Sequence, residues 1–188
     1  NEVLEETEAL EFEGYQALIS TVRLSYTHNQ RFMTEPNRKV VLGSRWPTFH
    51  FVYKKGWDGV LTSDIDFDYA EFMMEQNLLF GTLGNSRYTF QVGKFLNTRD
   101  LRYVDLKRFR QSDPYLYSNP LYSFQSLDTS LVATDIFVEG HYIHHFNGAL
   151  INNIPLIKKL KLRTVAGAGF MWVKENGYRH EEIFGGVE

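Results

Sequence analysis

Ser63-Asp64-Ile65-Asp66-Phe67-Asp68-Tyr69 sets three carboxylates on alternate positions, with large apolar side chains between them. A period of two is the mark of an extended strand, whose successive side chains leave on opposite faces. The pattern continues through Ala70 to Gln76. A strand of about a dozen residues exceeds the five or six usual in water-soluble domains and matches the tilted strands of membrane-spanning barrels.

The same habit recurs outward from this segment. Tyr15 to Thr27 is rich in β-branched and aromatic residues and has no helical period, which predicts a strand. Val40 to Lys54 resumes the pattern, with Phe49, Phe51 and Tyr53 on one face and Thr48, His50 and Val52 on the other. Pro36-Asn37-Arg38-Lys39 reads as the centre of a polar loop, and Lys54 to Gly59 as a turn. Leu78 to Leu83 and Arg87 to Phe95 form a pair about Gly84-Asn85.

Leu131 to Phe146 is a further long strand. It places Ile136, Val138, Gly140, Tyr142, His144 and Phe146 on one face, and Ala133, Asp135, Phe137, Glu139, His141, Ile143 and His145 on the other. Leu162 to Val173 aligns Leu162, Thr164, Ala166, Ala168, Phe170 and Trp172, with Gly167 and Gly169 opposite, where a close approach is expected. Glu182 to Val187 begins one more strand. Asn152 to Leu160 reads as a short helical turn capped by Asn153, with Pro155 in its first turn. Asn97 to Gln125 breaks the rhythm with a long polar and aromatic segment, of the length expected for an extracellular loop.

Composition bounds the answer. The chain has 188 residues, the size of one domain, and a net charge of -3, which offers no bulk attraction to nucleic acid. Cysteine is absent, so disulfide frameworks, thiolate metal sites and thiol nucleophiles are excluded. No run of apolar residues reaches the roughly 18 needed for a membrane-spanning helix. A mean hydropathy of -0.33 says nothing against a barrel, whose strands turn only every second residue to lipid. Aromatics make up 15% of the chain, which suits a large β-core or a membrane interface. Residues 1–14 are Glu-rich and read as a linker or the tail of a preceding region, with 15–188 as the barrel portion. No secretory leader opens the sequence, so it is expected to begin mid-protein or to be processed already.

Two groups of residues invite a chemical reading. Asp64, Asp66, Asp68, Glu139, His141 and His145 are expected as a polar row facing a lumen, balanced by Arg and Lys of neighbouring strands. The alternative makes Glu139, His141 and His145 ligands of a hydrolytic metal, which needs help from another strand because neighbours two apart lie about 6.8 Å from each other. Arg102, Lys107, Arg108, Arg110, Tyr115 and Tyr117 form a basic and aromatic patch on the long loop, suited to anionic lipid of the outer leaflet. His144 falls on the apolar face and fits there only near a rim. No phosphate loop, zinc-protease helix or nucleophile elbow is present, and neither catalytic residue, metal nor cofactor is expected.

Phe137 to Trp172 (FVEGHYIHHFNGALINNIPLIKKLKLRTVAGAGFMW) resembles a family of Bacteroidetes outer-membrane proteins of unassigned function. Arg31-Phe32, the stretch Leu42 to Trp57 and the stretch Tyr122 to Leu127 add to the likeness. Members carry a carboxypeptidase-regulatory-like β-sandwich followed by a barrel similar to surface-antigen barrels. The resemblance implies an all-β, antiparallel transmembrane β-barrel of outer-membrane type. About eight strands are expected here, as a fragment of a larger ring whose other strands lie beyond the sequence. The expected role is structural, transport or assembly-related, in the bacterial outer membrane. Expected partners are outer-membrane lipid or lipopolysaccharide and other outer-membrane proteins or lipoproteins, with no nucleic acid. The rival reading is a soluble periplasmic or secreted β-barrel or sandwich that binds a glycan or lipid.

Overall fold

The computed structural model describes residues 14–113, 115, 118–127, 130–147 and 162–187. Its strands are β1 (Ile19–Thr27), β2 (Arg31–Glu35), β3 (Arg38–Gly43), β4 (Thr48–Gly56), β5 (Asp66–Leu79), β6 (Asn85–Asp100), β7 (Lys107–Arg108), β8 (Val132–Ala133), β9 (Ile136–His145), β10 (Thr164–Val173) and β11 (Tyr178–Val187). Seven of them form one antiparallel sheet in the order β1-β4-β5-β6-β9-β10-β11. The sheet is open, with β1 and β11 as its edges. Two short antiparallel pairs, the hairpin of β2 with β3 and the long-range pair of β7 with β8, lie outside it.

The chain therefore runs as a meander with two excursions. The polar loop expected about Pro36 is the tip of the β2–β3 hairpin, and the strand expected over 40–54 is broken between Gly43 and Thr48. The lower end of the sheet carries the connections 57–65, 101–135 and 174–177; the upper end carries 28–47 and 80–84. At the upper end Gly84 has φ 118°, and a Cβ there would stand 1.9 Å from the His145 carbonyl oxygen. Only glycine fits such a backbone and such an approach. The helical turn expected over 152–160 lies outside the described residues.

Register assigns every strand side chain to one of two faces. Met74 stands opposite Phe49 and Phe90, Phe90 opposite Gly140, and Gly140 opposite Phe170. This outer face also holds Val22, Leu24, Tyr26, Phe51, Phe72 and Tyr142, all exposed. The inner face holds Arg23, His50, Glu75, Arg87, Glu139, His141 and Glu182. Segment 101–135 folds across the lower half of that inner face instead of standing clear as a surface loop. Phe109, Phe124 and Leu127 are buried there against Tyr69, Phe95, Phe137, Met171 and Val173.

That packing corrects the expected polar row. Ile65, Phe67 and Tyr69 are the residues turned inward, and they are 0%, 1% and 4% exposed. Asp66 and Asp68 leave on the other side from Glu139 and His141. The reason is energetic, since burying a large apolar side chain stabilises by roughly 1.5–3 kcal/mol and segment 101–135 provides the cover. Irregular register between β5 and β6, from Asp66 to Tyr69, adjusts the partners. Asn97 then donates to Asp66 at 2.8 Å, while Tyr53 and Lys55 donate to Asp68 at 2.6 and 3.1 Å.

Carboxylates also hold the excursion at its lower end. Glu175 accepts from the backbone N–H of Thr134 and Asp135 at 2.8 and 2.9 Å. Lys174 donates to Asp135 at 2.7 Å and holds that carboxyl below the usual carboxylate range.

Two outcomes are expected. Gly84→Ala lowers stability by about 2 kcal/mol or more in denaturant unfolding, because the strained backbone and the clash add. Asp135 contributes stability that is present above its ordinary pKa of about 4 and is lost as pH falls through its lower folded value. The stability difference between wild type and Asp135→Asn, measured by unfolding across acid pH, should therefore shrink on acidification; a constant difference contradicts the ion pair.

Candidate functional site

Beneath segment 101–135 the inner face encloses a charged network. Lys107 projects from β7 to lie 3.5 Å from the Glu71 carboxylate and 3.8 Å from that of Glu139. Its ammonium also stands 4.9 Å from the Phe137 ring centre. The His141 ring nitrogen Nε2 meets Glu139 at 3.0 Å, and the Tyr69 hydroxyl donates to Glu71. Phe124 packs on His141 with ring centres 4.5 Å apart. One ammonium thus serves two carboxylates, which come from strands flanking the β6 pair Gly93 and Gln91.

Two further carboxylates tie the excursion down. Glu182 accepts from the backbone N–H of Gln125 and Ser126, each at 2.9 Å, and from the Ser126 hydroxyl at 3.0 Å. Glu75 accepts from the Tyr122 hydroxyl at 3.3 Å. Each of Glu75, Glu139 and Glu182 also meets a histidine, His50, His141 and His180 respectively. The common design is a strand carboxylate that faces inward, holds the covering segment and is backed by a strand histidine.

Spaces remain between the cover and the sheet. One of about 350 Å³ is walled by Glu71, Thr89, Gln91, Lys107, Glu139 and His141 among others. A lower one of about 220 Å³ shares Glu71, Lys107 and Arg108 with it. An upper one of about 710 Å³ shares Leu121 and Tyr122 with it.

The residues singled out in the sequence are thereby dispersed. Asp64 is exposed before β5, and Asp66 and Asp68 lie at the lower rim of the outer face. Glu139 and His141 meet, whereas His145 is four residues further along β9, about 13 Å away. No set of three His, Asp or Glu side chains able to share a metal gathers among the described residues. In the loop patch, Lys107 is drawn inward and Arg108 lies over the Tyr103 ring at 4.9 Å. Arg102 and Arg110 are exposed, Tyr115 is 94% exposed, and Tyr117 lies outside the described residues. Lys107 is thus parted from the exposed members of the patch.

His144 is explained by its place at the upper rim. Its Nδ1 meets the Ser86 hydroxyl at 2.6 Å and its Nε2 meets the Leu83 carbonyl at 3.1 Å, so a polar ring on an apolar face is satisfied. The residues that sequence reading passed over are Glu71, Glu75 and Glu182. The first two alternate with Met73 along β5, so continuing the period of two past Tyr69 brings them onto the inward face.

Two variants test this network. Lys107→Met leaves Glu71 and Glu139 facing each other and is expected to cost about 1–3 kcal/mol, since Lys107 and Glu71 are only partly buried while Glu139 is buried. Glu182→Gln loosens the 125–126 backbone and should make segment 101–135 the first site cut in limited proteolysis. An unchanged cleavage pattern contradicts the anchoring role.

Neither a curated protein nor a solved structure matches this chain at a significant level. A family model does, over residues 1–187, and its description is the C-terminal domain of a family of unknown function, DUF5686. A match of that extent places the all-β sheet and its covered inner face within one known lineage: the chain belongs to the DUF5686 family, as its C-terminal domain.

Proposed function

We propose that this domain forms part of a β-barrel in the bacterial outer membrane, with a structural, transport or assembly-related role and no catalytic step of its own. The observation that carries the reading is an exposed apolar outer face, set against an inner face that buries carboxylate and histidine beside its aromatic core. Leu24 is 62% exposed, Val22 52% and Ile183 90%, all on the outer face, while Glu139 and His141 on the inner face are 6% and 5% exposed. Water as sole solvent penalises that arrangement, and hydrocarbon outside a polar lumen favours it.

The edges of the apolar area support the same reading. On β5 the uppermost charged outer residue of the lower rim is Asp68, whereas on β11 it is Glu181, whose register row passes through Phe170, Gly140 and Phe90 to Met74. The rim thus stands at Asp68 on β5, in the row of Lys94 and Ile136 on β6 and β9, and at Glu181 on β11, so it rises across the sheet, as a rim level with the membrane plane does across barrel strands tilted by about 35–45°. Ala70 to Leu78 spans nine residues, the length needed to cross at such a tilt. Within it Gln76 is bonded, donating to the Arg45 carbonyl at 2.8 Å and accepting from the Tyr88 hydroxyl at 2.6 Å.

Aromatic residues with a bonded polar tip flank the apolar rows, as at a membrane interface. Tyr53 and Trp57 serve the lower rim through Asp68 and Ser20, and Tyr142 and Tyr88 the upper through Ser86 and Gln76. In this reading the sheet edges at β1 and β11 are paired by further strands, because an open edge has no partner in hydrocarbon. Lipid or lipopolysaccharide covers the outer face, and other outer-membrane proteins or lipoproteins are the expected partners.

Fractionation of cells that make the full-length protein tests the reading. Recovery in the outer-membrane fraction, with migration on a gel that changes on heating, is expected. Recovery in the periplasm without detergent favours the soluble binder of glycan or lipid and overturns the membrane assignment.

A further inference from the structure

The upper space lies where the sheet is incomplete. β4 begins at Thr48, opposite Glu75, so the upper residues of β5 up to Leu79 have no β4 partner. The segment 42–46 stands beside them, leaving a cleft of about 710 Å³ that reaches both faces of the sheet. From the inner face it is lined by Glu75, Leu79 and Arg87, with Tyr122 of the cover at its base; from the outer face by Leu78, with Leu42 and Trp46 of segment 42–46 beside it. Leu42, Trp46 and Leu79 are 61%, 55% and 79% exposed.

The charges in this cleft are unbalanced. Glu75 is engaged by His50 and Tyr122. Arg87 has no carboxylate within ion-pair distance among the described residues; its Nη2 lies 3.5 Å from a His145 ring nitrogen, and its Nε is buried without a hydrogen-bond partner. Arg45, which also lines the cleft, makes no ion pair among the described residues. Two guanidinium groups without a carboxylate partner, set beside the exposed Leu42 and Trp46, match one kind of molecule: a negatively charged head joined to an apolar tail.

We propose that the cleft binds an anionic amphiphile, its phosphate or carboxylate head against Arg45 and Arg87 and its tail over Leu42, Trp46 and Leu78. The inference rests on the membrane reading only for where such a molecule is met. A planar guanidinium holds a phosphate or carboxylate through two parallel hydrogen bonds, which a neutral head cannot reproduce. The opening through the sheet lets the head sit on the lumen side while the tail stays on the outer side.

Titration calorimetry on the full chain in a neutral detergent tests the proposal with three probes: dihexanoyl phosphatidylglycerol, dihexanoyl phosphatidylcholine and inorganic phosphate. The phosphatidylglycerol is expected to bind at least tenfold more tightly than the other two. Arg87→Gln and Arg45→Gln should each weaken it by about tenfold, and Arg45→Gln, on an exposed loop, keeps the test open if the Arg87 variant fails to fold. Equal binding of phosphatidylcholine, equal binding of inorganic phosphate, absence of phosphatidylglycerol binding, or indifference to both substitutions overturns it. Because the titration is independent of cellular location, a negative result here and a periplasmic location of the full-length protein are separate failures.

Discussion

Cross-strand register is the constraint on which the rest of this structure depends. Side chains alternate strictly along a strand, so a slip of one residue between any two strands would exchange the faces of everything beyond it. Held in register, Met74, Phe49, Phe90 and Phe170 share one side, while Glu71, Gln91, Glu139 and Met171 share the other. Glycines secure the close approaches this demands. At Gly93 a Cβ would meet the Phe137 ring at 2.5 Å, and at Gly169 it would meet the Glu182 side chain at 2.9 Å.

Given that register, the inward side needs a lid of its own, and segment 101–135 supplies it. Its aromatic residues fill the lower half, where Phe67, Phe95 and Phe137 project. Its polar contacts fall on carboxylates, where an ammonium, a phenol and two backbone N–H groups each find an acceptor. Charged hydrogen bonds of this kind are stronger than neutral ones, and they place the cover at defined points along β5, β9 and β11. Among the described residues the outward side has no such lid, and its exposed apolar rows are what the proposed lipid contact explains.

Much of this was legible in the sequence. The alternation in 63–76, 131–146 and 162–173 is strong enough to place the long strands and to sort the residues of β9 and β10 onto their two faces. The sequence did not reveal which face of β5 turns inward, because Ile65, Phe67 and Tyr69 suit lipid and a protein core equally well. That choice is decided by a long-range contact, the aromatic residues of 109–127, which no local pattern announces. The acidic residues went astray for the same reason: Asp66 and Asp68 are conspicuous in sequence, but Glu71 and Glu182 are the ones that meet the cover.

The central claim is that alternate side chains of these strands meet hydrocarbon. The chain has no cysteine, so single cysteines can be introduced one at a time along β5 and labelled with a fluorophore in lipid vesicles. Quenching by brominated acyl chains should rise at positions 70, 72 and 74 and fall at 71, 73 and 75. Uniformly weak quenching at all six positions would contradict the account.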